Sequence, residues 1–403
     1  MTSAPAPISQ SEPNPTTPHQ VDAVIVGAGI AGLWLANLLQ QRGYAIVVLE
    51  ADAVGGAQTL ASQGMIHGGL KYALGGSLTG ASEAIAAMPG RWAACLAGGG
   101  DIDLAAVSRL SSRYYLFAEA SGLGKLTSFF ASRALRGRVE RLPAGAQPPA
   151  FADFRGVVYA LNDFVLDTES LLAALLQPVA DRVYRQRLQP EALRTSPQGF
   201  EIELNGARIL ARRLLLSAGA GAQPLLERLA TLRPDAPPPA MQLRPLHQVI
   251  VRDRCLPPLY GHCLTGIRRP EPRLTITSHP DGDGWLWYLG GQIAGDGVAM
   301  STPALIEHAR AELRACVPWI DWTEADISTL RIDRAEPAEA SGRRPDQAFA
   351  QTAGACIVAW PTKLSLAPDL GDRVLSLLPP PAGLTPPPLN LPRARVGRSP
   401  WSS

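Results

Sequence analysis

Residues 21–26 form an apolar run broken only by Asp22 and ended by Gly27, after which apolar residues at helical spacing carry the chain to Gln41. Gly43 punctuates, and residues 45–49 are again apolar with β-branched Ile46, Val47 and Val48. The pattern predicts strand, tight turn, helix and strand, one βαβ unit. Asp22, the glycines and the polar run Gln40-Gln41-Arg42-Gly43 distinguish this stretch from a membrane span. Residues 51–80 are too rich in Gly, Ser and Thr for a regular helix and read as a loop bent around a ligand.

From 81 to 130 the spacing predicts helix with interruptions, followed by a Pro/Gly break at 143–149. Asp167 or Thr168 is an N-cap for the next helix, with Glu169 in its first turn. Asn205-Gly206 between runs 201–204 and 208–210 signals a hairpin. An apolar strand then enters a second glycine turn and another helix. Prolines at 234–239 mark a boundary, beyond which 248–251, 273–277 and 285–289 read as strands and 302–317 as an amphipathic helix. A strand at 355–359 and a helix at 367–378 close the pattern. The segments 1–20 and 379–403 read as Pro-rich tails, too poor in core residues to fold alone.

A chain of 403 residues, 46% hydrophobic and 18% charged, buries a substantial core, which removes disorder as a description of the whole. The formal charge of +2 gives no drive toward nucleic acid. Cys95, Cys255, Cys263, Cys316 and Cys356 are scattered without a CxxC pair, which argues against a disulfide framework or zinc ribbon; no metal site is predicted. The start lacks the basic and apolar regions of a secretion signal, so a cytoplasmic protein is expected, with room for peripheral contact at the inner face of a membrane.

The strongest local signal is Gly27-Ala28-Gly29-Ile30-Ala31-Gly32, directly after a strand and opening a helix, with Glu50 at the end of the second strand. Gly27 permits the turn, Gly29 admits a pyrophosphate, Gly32 allows close packing, and the helix N-terminus favours the phosphate charge. Glu50 suits ribose hydroxyls and repels a 2′-phosphate. FAD and NAD share this fingerprint.

Beyond Glu50 the chain resembles FAD enzymes of the D-amino-acid oxidase and glycerol-3-phosphate dehydrogenase superfamily. GGAQTLASQGMIHGGLKY resembles their loop after the second strand, LLLSAGAGA their second adenosine-side turn, SGRRPDQ their Gly-x-Arg-Pro segment and PTKLSLAPDLGDRVLSLL their terminal helix. The resemblance implies an α/β fold: a Rossmann-like, doubly wound and discontinuous FAD-binding domain (21–90, 150–233 and 331–378) with an inserted α+β, sheet-rich substrate domain (240–330, with a helical segment at 91–149). It implies FAD contacts at Gly27, Gly29, Ile30, Ala31, Gly32, Glu50, Ala51, Thr59, Ser62, Gln63, Gly64, Ala218, Gly219, Lys363 and Leu364.

In such enzymes a hydride leaves a C–H bearing OH or NH for flavin N5. His67 is the first catalytic candidate, as base or orienting group, against a covalent flavin link or a purely structural role. Lys363 would stabilise the anionic reduced ring. Arg344, or alternatively Arg334, would hold an anionic substrate group, and Tyr260 and His262 would line the substrate pocket or else pack in a turn. The implied substrate is a small anionic 2-hydroxy acid, polyol phosphate such as glycerol 3-phosphate, or amino acid, with oxygen, quinone or a protein left open as electron acceptor. A flavin-binding sensor or assembly subunit without turnover, and an NAD-dependent dehydrogenase, are the alternatives.

Overall fold

In the computed structural model, which describes residues 18–69, 80–119, 139–264, 271–339 and 347–402, the first βαβ unit is β1 (His19–Val26), α1 (Ile30–Gln41) and β2 (Ile46–Glu50). Helix α1 is buried from Ile30 to Leu39, as a helix that is apolar on every side must be. Its one interior polar residue, Asn37, donates to the carbonyls of Leu33 (2.9 Å) and Leu175 (2.7 Å).

The chain continues through β3 (Met65–Ile66), α2 (Gly80–Leu96), β4 (Arg109–Ser111), β5 (Tyr114–Glu119), β6 (Val139–Leu142), β7 (Gly156–Leu161), β8 (Phe164–Leu166) and α3 (Thr168–Leu176). Asp167 caps α3, its side chain accepting from the Ser170 N–H at 2.7 Å. Then come β9 (Val183–Arg185), β10 (Leu193–Ser196), β11 (Gly199–Leu204), β12 (Ala207–Leu216) and α4 (Gln223–Leu232), with Asn205-Gly206 closing the β11–β12 hairpin. The remainder is β13 (Met241–Arg252), β14 (Gly261–Cys263), β15 (Leu274–Asp281), β16 (Gly284–Gly290), α5 (Gln292–Asp296), α6 (Thr302–Cys316), β17 (Asp326–Pro337), β18 (Phe349–Ala353), β19 (Cys356–Trp360) and α7 (Ala367–Leu377).

One eight-stranded sheet runs β10-β11-β12-β1-β2-β9, with β19 also on β12 and β18 on β19. Its β19, β12, β1, β2 and β9 are parallel, so the turns after β1 and β12 lie side by side at one end. The second eight-stranded sheet runs β17-β13-β16-β15-β14-β5-β7-β6. Among the described residues no helix is long and apolar enough to cross a membrane.

Three expectations need correction. Among the described residues of 91–149, α-helix ends at Leu96; the segment supplies β4, β5 and β6, and β5 and β6 enter the second sheet together with β7, whose residues the resemblance assigns to the first domain. The burial of Tyr114, Leu116 and Phe117 between β14 and β7 explains why this short aromatic and aliphatic run is strand. The N-terminal boundary also shifts, since β1 begins at His19; residues 1–17 lie outside the described ones.

Finally, 379–403 is docked rather than loose. The Arg185 N–H donates to the Pro392 carbonyl (2.7 Å), the Val54 N–H to the Arg395 carbonyl (2.9 Å), and the Gly397 N–H to the Val54 carbonyl (3.0 Å). Arg393 lies over the Tyr184 ring, and Trp401 packs 4.4 Å from His279 and 4.8 Å from Tyr288, ring centre to ring centre. The tail therefore straps the first sheet to the second.

Burial holds the His279 imidazole neutral, its pKa lowered to about 3 from 6.5. Below pH 6.5 the unfolded chain takes up a proton that the folded one refuses, so stability falls by about 1.4 kcal/mol per pH unit down to pH 3 from this group. Trp401→Ala should cost about 3 kcal/mol at neutral pH, because a large buried ring is lost, and should flatten that acid slope by admitting water to His279. Urea unfolding from pH 7 to pH 4 checks both; an unchanged slope would show that Trp401 does not shield the imidazole.

Candidate active site

Where the two glycine turns meet, backbone touches backbone. A Cβ on Gly27 (φ +97°) would stand 2.7 Å from the Ala218 Cα and the Ser217 carbonyl oxygen, and one on Gly32 would stand 1.8 Å from the Gly27 carbonyl oxygen. No other residue fits either place. The Ser217 hydroxyl lies 3.1 Å from the Val26 carbonyl, tying the end of β12 to β1. Helix α1 has no side-chain cap at Gly29; instead the Ile30 N–H donates to Thr59 Oγ1 at 3.1 Å, drawing the following loop over the helix end. The Ala28 N–H donates to Glu50 Oε2 (2.7 Å) and the Asp52 N–H to Oε1 (3.1 Å). Each carboxylate oxygen keeps acceptor capacity beyond its backbone bond, as ribose recognition requires.

A cavity of about 470 Å³ lies between these turns and the face of β13 and β17. Of the residues expected to touch cofactor, Gly27, Gly29, Ile30, Ala31, Glu50, Ala51, Thr59, Ser62, Gln63, Gly64, Ala218, Gly219, Lys363 and Leu364 line it, together with His67 and Arg334. Gly32 stands behind the wall, packed on Gly27. The cradle is thus shaped for the diphosphate and ribose of a dinucleotide: backbone admitted by glycine, the amino end of α1 on the cavity wall, and an oriented carboxylate.

The Gln63 side chain is occupied elsewhere, its Nε2 lying 2.9 Å from the Tyr288 carbonyl and 3.1 Å from the Thr275 carbonyl of the second sheet. His67 Nδ1 accepts from the Gly69 N–H at 3.2 Å, and the Gly68 N–H donates to Asp163 Oδ1 at 2.9 Å. Lys363 is only 4% exposed. It follows Thr362, whose φ of +59° and the Lys363 N–H to Pro361 carbonyl bond of 2.6 Å make a strained γ-turn. Arg334 Nε approaches the Arg244 carbonyl at 3.5 Å, and Arg244 is paired with Glu336, which is 1% exposed.

Two candidates fall elsewhere. Tyr260 is buried with Tyr114, Leu116 and Tyr159, and its phenol is pushed up by that burial. His262 Nδ1 lies 3.0 Å from Thr275 Oγ1, with its ring against Tyr114. Neither lines the cavity, because β14 is an interior strand of the second sheet and its side chains pack with β5 and β15. Arg344 lies outside the described residues. Lining residues that the sequence did not announce include Gln58, Arg187, Gln248, Trp360 and Thr362. Two of them had a signal: Gln58 lies in the ligand-wrapping loop 51–80, and Thr362 stands beside Lys363 in the terminal segment.

Gly32→Ala tests the cradle. Alanine is favoured over glycine inside a helix by about 1 kcal/mol, so what opposes it is the clash with the Gly27 carbonyl and the tight approach to the Ser217 hydroxyl. FAD affinity of the apoprotein, followed by flavin fluorescence, should fall by about 100-fold, equivalent to about 2.7 kcal/mol of lost binding. Wild-type affinity in the variant would show that this approach is not needed.

The family profile "DAO: FAD dependent oxidoreductase" matches residues 22–351. The chain is 49% identical over 362 residues to a probable FAD-dependent oxidoreductase, PA4991, of Pseudomonas aeruginosa, spanning 89% of this chain and 90% of that one. The crystal structure of PA4991 superposes with a TM-score of 0.79 at 40% identity, covering 96% of this chain and 98% of that chain. At fold level, glycine oxidase from Geobacillus kaustophilus superposes with a TM-score of 0.59 at 17% identity, covering 89% and 95% of the two chains. L-α-glycerophosphate oxidase from Mycoplasma pneumoniae, with FAD bound, gives 0.61 at 13% identity, covering 92% and 100%. The chain is an FAD-dependent oxidoreductase and belongs to the DAO family.

Proposed function

We propose that this enzyme oxidises a C–OH or C–NH bond in a small anionic substrate: a 2-hydroxy acid, a polyol phosphate such as glycerol 3-phosphate, or an amino acid. One observation carries the reading. A single cavity joins the dinucleotide cradle of Gly27, Gly29 and Glu50 to a second group of polar side chains, His67, Lys363 and Arg334. The fold-level likeness to an amine-oxidising and a glycerophosphate-oxidising enzyme supports the same pair of bond types.

FAD held by the cradle supplies the hydride acceptor, N5 of its ring. The protein's own residues bind, orient and balance charge. Arg334 offers a planar fork of donors suited to a carboxylate or phosphate. Lys363, nearly buried just ahead of α7, adds its charge to the positive end of that helix, and together they favour negative charge in the cavity.

His67 acts as a donor. Because Nδ1 accepts from the Gly69 N–H, the hydrogen of the neutral ring sits on Nε2, and from that edge the imidazole gives a hydrogen bond rather than taking a proton. It would orient the substrate heteroatom: with FAD bound, loss of a hydride from a C–NH carbon would leave a protonated imine, and loss of a hydride from a C–OH carbon would be accompanied by release of the hydroxyl proton to solvent water.

His67→Ala should lower the rate of anaerobic flavin bleaching by about 10²-fold or more, the cost of one lost transition-state donor. His67→Gln, which restores an N–H, should recover part of it. FAD should stay bound in both, and the pH profile of the slow step should keep its acid limb in the Gln variant. A limb that vanishes in both variants would instead make His67 the base. Wild-type protein that leaves the flavin oxidised with every member of a panel of 2-hydroxy acids, 2-amino acids and glycerol 3-phosphate would sink the substrate class.

A further inference from the structure

We infer that Gln248 presents a hydrogen-bond acceptor to the ligand in this cavity and is a specificity-determining residue of the enzyme. Gln248 lies on β13, lines the cavity and is 4% exposed, beside the aliphatic Leu246 and Ile332 on the same wall. A buried side-chain amide in such a place needs partners.

As placed, Gln248 Oε1 is 2.7 Å from the Tyr288 hydroxyl, which is also 3.0 Å from the Ala61 carbonyl oxygen. A phenol has one hydrogen, and burial pushes the Tyr288 phenol up, so that hydrogen stays in place. The Ala61 carbonyl can only accept. Satisfying both contacts therefore requires the hydroxyl to donate to Ala61 and to accept from the Gln248 –NH2, an orientation fixed by the network because the two ends of an amide look alike. Exchanging Oε1 and Nε2 in this way, which leaves the heavy-atom positions unchanged, makes the Gln248 carbonyl oxygen the end that faces the cavity.

Tyr288 is itself fully buried, with its ring against His279 and Trp401. The acceptor thus stands at a fixed point above Ala61 and selects an N–H or O–H donor there. A ligand that offers a methyl group or a lone pair at that point leaves the oxygen unpaired and is rejected. The donor comes either from the flavin, through its ring N–H or ribityl hydroxyls, or from the amine or hydroxyl of the substrate. The substrate arm rests on the function proposed above.

The test uses Gln248→Met, which keeps length and volume but cannot hydrogen-bond, and Tyr288→Phe, which keeps the ring packing and removes the holder. FAD is titrated into apoprotein by fluorescence. Glycerol 3-phosphate and the panel of 2-hydroxy and 2-amino acids are titrated anaerobically into FAD-loaded protein, following flavin absorbance. Gln248→Met should weaken one of these by about tenfold or more, and the arm that moves names the source of the donor. Tyr288→Phe should move the same arm by several-fold.

Binding within twofold of wild type in both arms would overturn the assignment. If Gln248→Met does not fold, an unchanged Tyr288→Phe overturns it alone. Wild-type protein that takes up no FAD would sink the proposed function as well; wild type that binds FAD and substrate, with both variants unchanged, sinks only the role of Gln248.

Discussion

A cavity between two sheets survives only if the sheets are locked together beside it, and here the lock is a small set of buried polar contacts from one loop. Gln63 reaches across from the loop after β2 to the Tyr288 and Thr275 carbonyls. Tyr288 returns a bond to the Ala61 carbonyl, and the Ala335 N–H of β17 donates to Gln58 Oε1 at 3.1 Å. Each contributes only about 1 kcal/mol net, but each has a direction, and leaving any one unmade in the interior costs more than that. Gly290 shows how closely the parts are fitted, since a Cβ there would stand 2.7 Å from Gln63 Oε1. The loop that lines the cavity is thus also the hinge-pin between the sheets, and its glycines and small residues serve both tasks.

The C-terminal strap completes this lock from outside. Val54, in the same loop, is bonded through both its N–H and its carbonyl to the strand-like stretch around Val396. Further along, the Ser399 N–H donates to Glu169 Oε1 at 2.6 Å, and Arg252 of β13 donates to the Trp401 carbonyl at 2.7 Å. The back of the loop is thereby held to both sheets. Loops left unpinned open locally at little cost, whereas this one carries bonds on both faces, which suits a surface that must keep a large ligand in place.

The sequence was most readable where the determining contacts are local. The β1–α1–β2 unit, the Asp167 cap and the Asn205-Gly206 hairpin depend on neighbours within a few residues, and each pattern has one good solution. The DAO resemblance then carried the family and the cofactor. Strand β5 was not readable, because its partners β7 and β14 come from distant parts of the chain and only the completed sheet makes Tyr114 and Phe117 interior. The tail misled for a related reason: a Pro-rich segment cannot build a core, but it can dock on one already built, as Leu389, Ala394 and Trp401 do. Gln248 has no motif at all. Its place in the cavity is set by the register of β13 against β16 and β17, which no stretch of sequence near it records.

Thr362 shows what the cavity demands of the backbone. A β-branched residue at positive φ costs on the order of 1–3 kcal/mol, and among the described residues Thr362 is the one non-glycine residue that accepts this. The conformation is held from both sides: upstream by β19, buried from Cys356 to Trp360 between β12 and β18, and downstream by α7, packed on α1. The Thr362 hydroxyl adds a bond to the Gln347 carbonyl at 3.0 Å. A relaxed turn would be cheaper but would start α7 along a different line and carry Lys363 away with it. The strain is therefore the local cost of setting the nearly buried Lys363 on the cavity wall, at the head of the short turn Leu364–Leu366 that leads into α7.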